Sequence, residues 1–195
     1  MKSIKGFTLV ELLAAVVILG ILTAFSLPSV MRVITNNRNK TYIQDAKKMV
    51  TLAESRIRSG SVVKLATGEC MIITMNGLKS GEFKKAPNGG EYNKDESFVL
   101  VKRDSSNTSA GMPQYEYYVY LVEKYGNNRY RGIDLQKINN DANINKKDDN
   151  TYEVNIQDFS RASKFTSGIG SDYSALNNQL GSIGSCIKSN DYIIK

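Results

Sequence analysis

Residues 5–28 read KGFTLVELLAAVVILGILTAFSLP. From Phe7 to Leu27 this run is almost wholly apolar, with one ionisable side chain, Glu11, near its start. As a helix rising about 1.5 Å per residue it spans roughly 30 Å, the thickness of a bilayer's hydrocarbon core. A carboxylate costs about 2.5–3.5 kcal/mol or more at the bilayer centre and less near its edge, so an acid kept in such a run points to a function and a cationic partner. The nearby cations are Lys2, Lys5 and whatever amine begins the mature chain.

Ordinary readings leave this acid unexplained. A secretory signal has a basic start, an apolar stretch and a small-x-small cleavage site, which Ala24-Phe25-Ser26 imitates. The apolar run here is longer than such signals carry, and an acid near its start is unfavourable. A plain single-pass anchor fits the length and gives Glu11 no role.

Lys5-Gly6-Phe7-Thr8-Leu9-Val10-Glu11 resembles the prepilin signal of type IV pilins and of their pseudopilin relatives in secretion and competence machines. The resemblance covers residues 1 to about 30. It implies a leader of residues 1–6, cut between Gly6 and Phe7 by a prepilin peptidase, and N-methylation of Phe7. It also implies that Glu11 pairs with the terminal amine of a neighbouring subunit, and that Pro28 bends the helix. The implied partners are other pilin subunits, the peptidase/methyltransferase, an assembly platform protein and an assembly ATPase. The membrane holds the subunit before assembly; a host or cell surface is a further partner class. The implied location is the cytoplasmic membrane, with the C-terminal domain outside, and then an extracellular pilus serving adhesion, motility or biofilm. The Asn- and Lys-rich, histidine-free composition suits a Gram-positive type. A pseudopilin of a competence or type II-like secretion system shares this N-terminus and is the alternative. A membrane-anchored binding domain that never polymerises is the distant one.

Beyond Pro28 the pattern changes. Ile43, Ala46, Val50, Ala53 and Ile57 recur at spacings of three and four, with Met49 beside them. That is one apolar stripe on an amphipathic helix, which Gly60 stops. Residues 29–59 therefore continue the helix of residues 7–28, and residues 60–195 form a β-rich globular domain. Expected strands are Val62–Leu65, Met71–Met75, Ser97–Lys102, Tyr115–Val122, Arg129–Leu135, Thr151–Ile156 and Tyr192–Ile194. Asn76-Gly77, Pro87–Gly90 and Gly126–Asn128 read as turns, and Asp172–Leu180 as a short helix before Gly181. The expected fold is α+β: a long N-terminal helix, apolar first and amphipathic after, packed on an antiparallel sheet as in the type IV pilin fold.

The rest of the chain argues against catalysis. With no histidine there is no Ser-His-Asp triad, Cys-His pair or His-ligated metal. No paired-carboxylate or Gly-rich phosphate motif stands out, so the chain reads as a non-enzyme without cofactor. Lys and Arg total 26 against 19 Asp and Glu, a net charge of +7, spread along the chain as a solvated surface. Six of the eleven tyrosines fall between Tyr115 and Tyr130, beside Lys124, Arg129 and Arg131. They suit strands better than single-stranded nucleic acid, which is not expected as a partner. Asp141, Asn143, Asn145 and Asp148 alternate like a calcium loop, and some pseudopilins carry calcium late in the chain. However, Lys146 stands where an EF-hand loop needs glycine and Tyr152 where it needs glutamate. A polar loop without metal is the preferred reading. Cys70 and Cys186, the two cysteines, are the candidate disulfide. A bridge and two buried thiols remain equally open from sequence.

Overall fold

The computed structural model describes residues 6–79, 81, 83, 85–104, 114–127, 129–138, 154–159, 169, 178–181 and 186–195. It contains α1 (Leu9–Arg58), then β1 (Cys70–Thr74), β2 (Glu91–Tyr92), β3 (Phe98–Arg103), β4 (Tyr115–Tyr125), β5 (Arg129–Lys137), β6 (Ile156–Phe159) and β7 (Ile193–Ile194). The strands form one sheet in the order β6-β5-β4-β3-β1-β7, with β2 paired to β4. All pairs are antiparallel except β1 with β7. This is the expected α+β architecture. The chain divides into two compact units, Met1–Arg38 and Asn39–Lys195.

In the first unit every described residue from Gly6 to Thr35 is exposed. The helix continues through Pro28. Its hydroxyls turn inward to their own backbone: Thr23 Oγ1 donates to the Leu19 carbonyl at 2.7 Å, Ser26 Oγ to Leu22 at 2.9 Å and Thr35 Oγ1 to Met31 at 3.0 Å. A helix that meets these polar groups internally suits a medium without water.

The second unit packs in layers. Tyr42, Ile43, Ala46, Met49, Val50 and Ala53 of α1 are buried, as the stripe at spacings of three and four requires. They belong to one core with Met71, Ile73, Val99, Val101, Val119, Leu121 and Ile133 from the sheet. The opposite side chains of the same strands, Ile72, Phe98, Leu100, Tyr120 and Val122, form a second core with Ile169, Leu180, Cys186 and Ile187 from the C-terminal region. Both faces of β1 and β3 are thus covered. Runs such as Met71–Ile73 and Phe98–Val101 are therefore continuously apolar rather than alternating. The Cys70–Cys186 disulfide, with Cα atoms 5.2 Å apart, ties the C-terminal region to the start of β1.

Glu123 on β4 is fully buried. Its carboxylate accepts from the Tyr42 hydroxyl of α1, from the Asn88 amide N–H at 3.1 Å, from Asn88 Nδ2 at 3.1 Å and from the Gly90 N–H at 3.0 Å. Burial first, then the adjacent carboxylate, pushes the Tyr42 hydroxyl well above the usual phenol range, so it remains a donor. One buried acid thereby joins α1, the turn at Pro87–Gly90 and β4. Close by, Tyr92 donates to Asp45 Oδ2 at 2.5 Å, and Arg131 reaches Asn39 and Asp158.

Several local expectations need correction. Val62–Leu65 is not a strand. Only Leu65 of this segment is buried, and its carbonyl is taken by the Arg103 guanidinium at 2.6 Å rather than by a ladder partner. β6 begins at Ile156 instead of ending there, because its register places Ile156 opposite Ile133 and Phe159 opposite Tyr130; residues 151–153 lie outside the described residues. The two-residue strand β2 is too short to carry a sequence signal; its pairing with β4 follows the turn held by Glu123. Of the expected helix at Asp172–Leu180, residues 178–180 are helical and the rest lies outside the described residues. Gly60, at φ +69°, occupies the left-handed conformation that ends α1. Gly132 lies where a Cβ would collide with the Leu121 carbonyl, beside the register shift between β4 and β5.

Two stability outcomes follow from this packing. Glu123→Ala strips the acceptor from several buried donors and should cost about 3 kcal/mol or more, against about 1.5–3 kcal/mol for Tyr42→Phe. Thermal unfolding of the full chain in micelles, followed by near-UV circular dichroism, reads both. With a sequence separation of 116 residues between the cysteines, the Cys70→Ala/Cys186→Ala double variant should lose about 2–5 kcal/mol. A midpoint unchanged from the oxidised parent would contradict that.

Candidate functional site: the N-terminal turn of the apolar helix

The N-terminal motif lies at the mouth of α1. The Leu12 N–H donates to the Thr8 carbonyl at 3.2 Å, the first bond of the helix, which makes Thr8 its N-cap. The Glu11 N–H reaches Thr8 Oγ1 at 3.3 Å. In return Glu11 Oε2 accepts from the Thr8 N–H at 2.9 Å and from Thr8 Oγ1 at 2.8 Å. This is a capping box, whose Thr-x-x-Glu spacing stands in the sequence at Thr8–Glu11. These four residues lie within the Lys5–Glu11 stretch that carries the prepilin resemblance, and their spacing alone signals Thr8 as a cap.

Both bonds to the Glu11 carboxylate use Oε2. Oε1 has no partner among the described residues. Thr8 therefore does two things: it completes the helix end and fixes the rotamer of Glu11. Phe7, one residue earlier, is 84% exposed. The structure thus gathers Gly6, Phe7, Thr8 and Glu11 in a single turn.

Gly6 has open space where a Cβ would project, and so does Gly20 within the helix. Neither needs to be glycine for this chain to fold, and Gly20 sits in a helix interior at a cost of about 0.5–1 kcal/mol relative to alanine. Requirements for a small residue at these positions must come from what the segment meets. Around them Leu9, Val10, Leu12, Leu13, Val16, Val17, Ile18, Leu19, Ile21, Leu22 and Phe25 are all more than half exposed. Exposed apolar surface of this extent marks a membrane or protein contact, and the helix is long and apolar enough to cross a membrane. Burying each such side chain away from water is worth about 1.5–3 kcal/mol.

The other sequence candidates lie elsewhere. Pro28 is inside α1, in the first unit, and Cys70 and Cys186 are in the second. Asp141, Asn143, Asn145 and Asp148 fall outside the described residues. Among the described residues no cluster of three or more Asp, Glu, His or Cys side chains could hold a metal ion.

Replacing Thr8 by Val keeps its volume and removes the hydroxyl. The amides of Leu9–Leu12 should then exchange several-fold faster with solvent deuterium in micelles, with Thr8→Ser restoring the parent rate. Equal rates in all three proteins would refute the capping role.

Comparison with known proteins agrees with this geometry. Residues 1–27 match the family model described as the prokaryotic N-terminal methylation motif. A stretch of 85 residues is 35% identical to the type IV major fimbrial protein FimA of Dichelobacter nodosus, covering 43% of this chain and 52% of that protein. The chain thus spans about half the length of the curated relative it matches. No solved structure matches it. The methylation motif, the fimbrial relative and the long apolar helix followed by a mostly antiparallel sheet together support assignment of the chain to the type IV pilin family.

Proposed function

We propose that the chain is a type IV pilin subunit, made as a precursor with a leader of residues 1–6. It is cut between Gly6 and Phe7, N-methylated on Phe7 and held in the cytoplasmic membrane by residues 7–28 until it is polymerised into a surface filament. It acts as a structural element and not as an enzyme. Its partners are other pilin subunits, a prepilin peptidase/methyltransferase, an assembly platform protein and an assembly ATPase.

The observation that carries this reading is the Glu11 carboxylate, clamped through Oε2 by Thr8, with Oε1 unpartnered among the described residues. Cleavage after Gly6 would create an amine at Phe7, at the same end of the helix. In one chain the acid already serves the cap, so its second oxygen is suited to the amine of an adjacent chain. At 4 Å and an effective dielectric near 20 that attraction is about 4 kcal/mol before desolvation is subtracted. The pair therefore specifies register, and the apolar side chains supply most of the association energy. In lipid those side chains gain little by changing neighbours, so extraction from the bilayer needs the work of an ATPase. Small residues at Ala14, Ala15, Gly20 and Ala24 let helices approach closely.

Mass spectrometry of the mature N-terminus tests this directly. The expected terminus is N-methylated Phe7; an intact Met1, or a start near Leu27, would remove the proposal. Gly6→Val should block cutting while leaving the fold unchanged, since no side chain is excluded there by the chain itself. Glu11→Ala should be processed normally yet enter filaments at least tenfold less. Undiminished incorporation of that variant, measured in sheared fibres, would remove the pairing role.

A further inference from the structure

On the second unit the ends of β4, β5 and β6 leave a shallow cleft of about 250 Å³ lined by Tyr125, Arg129, Tyr130, Asp158 and Phe159. Tyr130 and Phe159 are directly opposed across β5 and β6, and both are half-buried. Phe159 rests against Tyr120, with ring centroids 5.9 Å apart, so this part of the cleft wall is braced by the core beneath it. The Tyr125 and Tyr130 hydroxyls and the Arg129 guanidinium make no hydrogen bond among the described residues. Asp158 pairs with Arg131 at 2.9 Å through Oδ1, and its Oδ2 has no partner among the described residues.

We propose that this cleft is a binding site for a neutral hexopyranose of a glycan. Aromatic side chains offer flat apolar surface to the C–H face of a sugar ring, with polar tips at its edge. The ring's hydroxyls both donate and accept. Asp158 Oδ2 accepts only, Arg129 donates only, and the two tyrosine hydroxyls do either. A polyanion such as single-stranded nucleic acid would also stack on the rings and meet Arg129, but its phosphates would face the Asp158 carboxylate. A hydroxyl-rich neutral ring satisfies both charges. An open cleft of this kind binds weakly, in the millimolar range. If the subunit repeats along a filament as proposed above, many weak sites act together and avidity replaces affinity. Binding by the single subunit needs no filament, so its failure and the failure of the pilin reading are separable.

The test uses the full chain in lauryldimethylamine oxide micelles, a detergent without a sugar head. Methyl β-D-galactopyranoside, methyl α-D-mannopyranoside and tri-N-acetylchitotriose are titrated singly while backbone amide NMR shifts are followed. At least one sugar should shift the amides of Tyr125, Arg129, Tyr130 and Phe159 with millimolar affinity. Arg129→Ala and Asp158→Asn, both at exposed positions, should weaken that binding about tenfold with the remaining spectrum unchanged. The proposal is overturned if none of the three sugars moves these amides at tens of millimolar, or if the two variants bind as the parent does. It is overturned equally if a dodecathymidylate strand shifts them in preference to every sugar.

Discussion

The governing constraint is that one helix serves two kinds of surroundings. Up to Leu27 it presents apolar side chains on nearly every side, and from Tyr42 it narrows to a single buried stripe. A helix apolar all round is stable only in lipid or among other helices, whereas a striped helix needs one covered face and one wet face. The boundary between the two compact units falls inside α1, at Arg38, close to where the pattern changes. Every other feature accommodates one side or the other of that change.

In the apolar part the accommodation is polar self-sufficiency. Thr23, Ser26 and Thr35 bond back to the helix, and Thr8 and Glu11 bond to each other. Among the described residues from Phe7 to Leu27, what remains outward is almost wholly hydrocarbon, with the second oxygen of Glu11. In a segment with almost no other polar valence, Glu11 is the one acidic acceptor. On the proposed reading its donor is the amine made by cleavage, and the motif thus contains both the group to be created and the group that receives it.

In the striped part the accommodation is a sheet covered on both sides. α1 takes one face and the C-terminal region takes the other, tied by the disulfide. Polar groups caught at the helix–sheet junction are resolved by Glu123, which answers donors from α1 and from the turn at Pro87–Gly90. A buried acid without those donors would be strongly unfavourable. Its place in the core therefore depends on Tyr42, Asn88 and Gly90 arriving together, and the backbone of the turn can approach because residue 90 is glycine.

What the sequence determined by itself is whatever depends on near neighbours. The apolar run, the stripe from Ile43 to Ile57, the hairpin of β4 and β5 and the Thr8–Glu11 spacing are all relations within a few residues, governed by helix and strand periods and by capping chemistry. Even there, Val62–Leu65 imitated a strand because local β propensity does not supply a ladder partner. The tertiary structure alone decided the relations that span long stretches of chain. The Tyr42–Glu123 bond crosses 81 residues and the disulfide 116. The tyrosines and phenylalanine of the β5–β6 cleft meet only through strand register. No local pattern announces such contacts, because they exist only once the chain has folded and brought both partners to the same few ångströms.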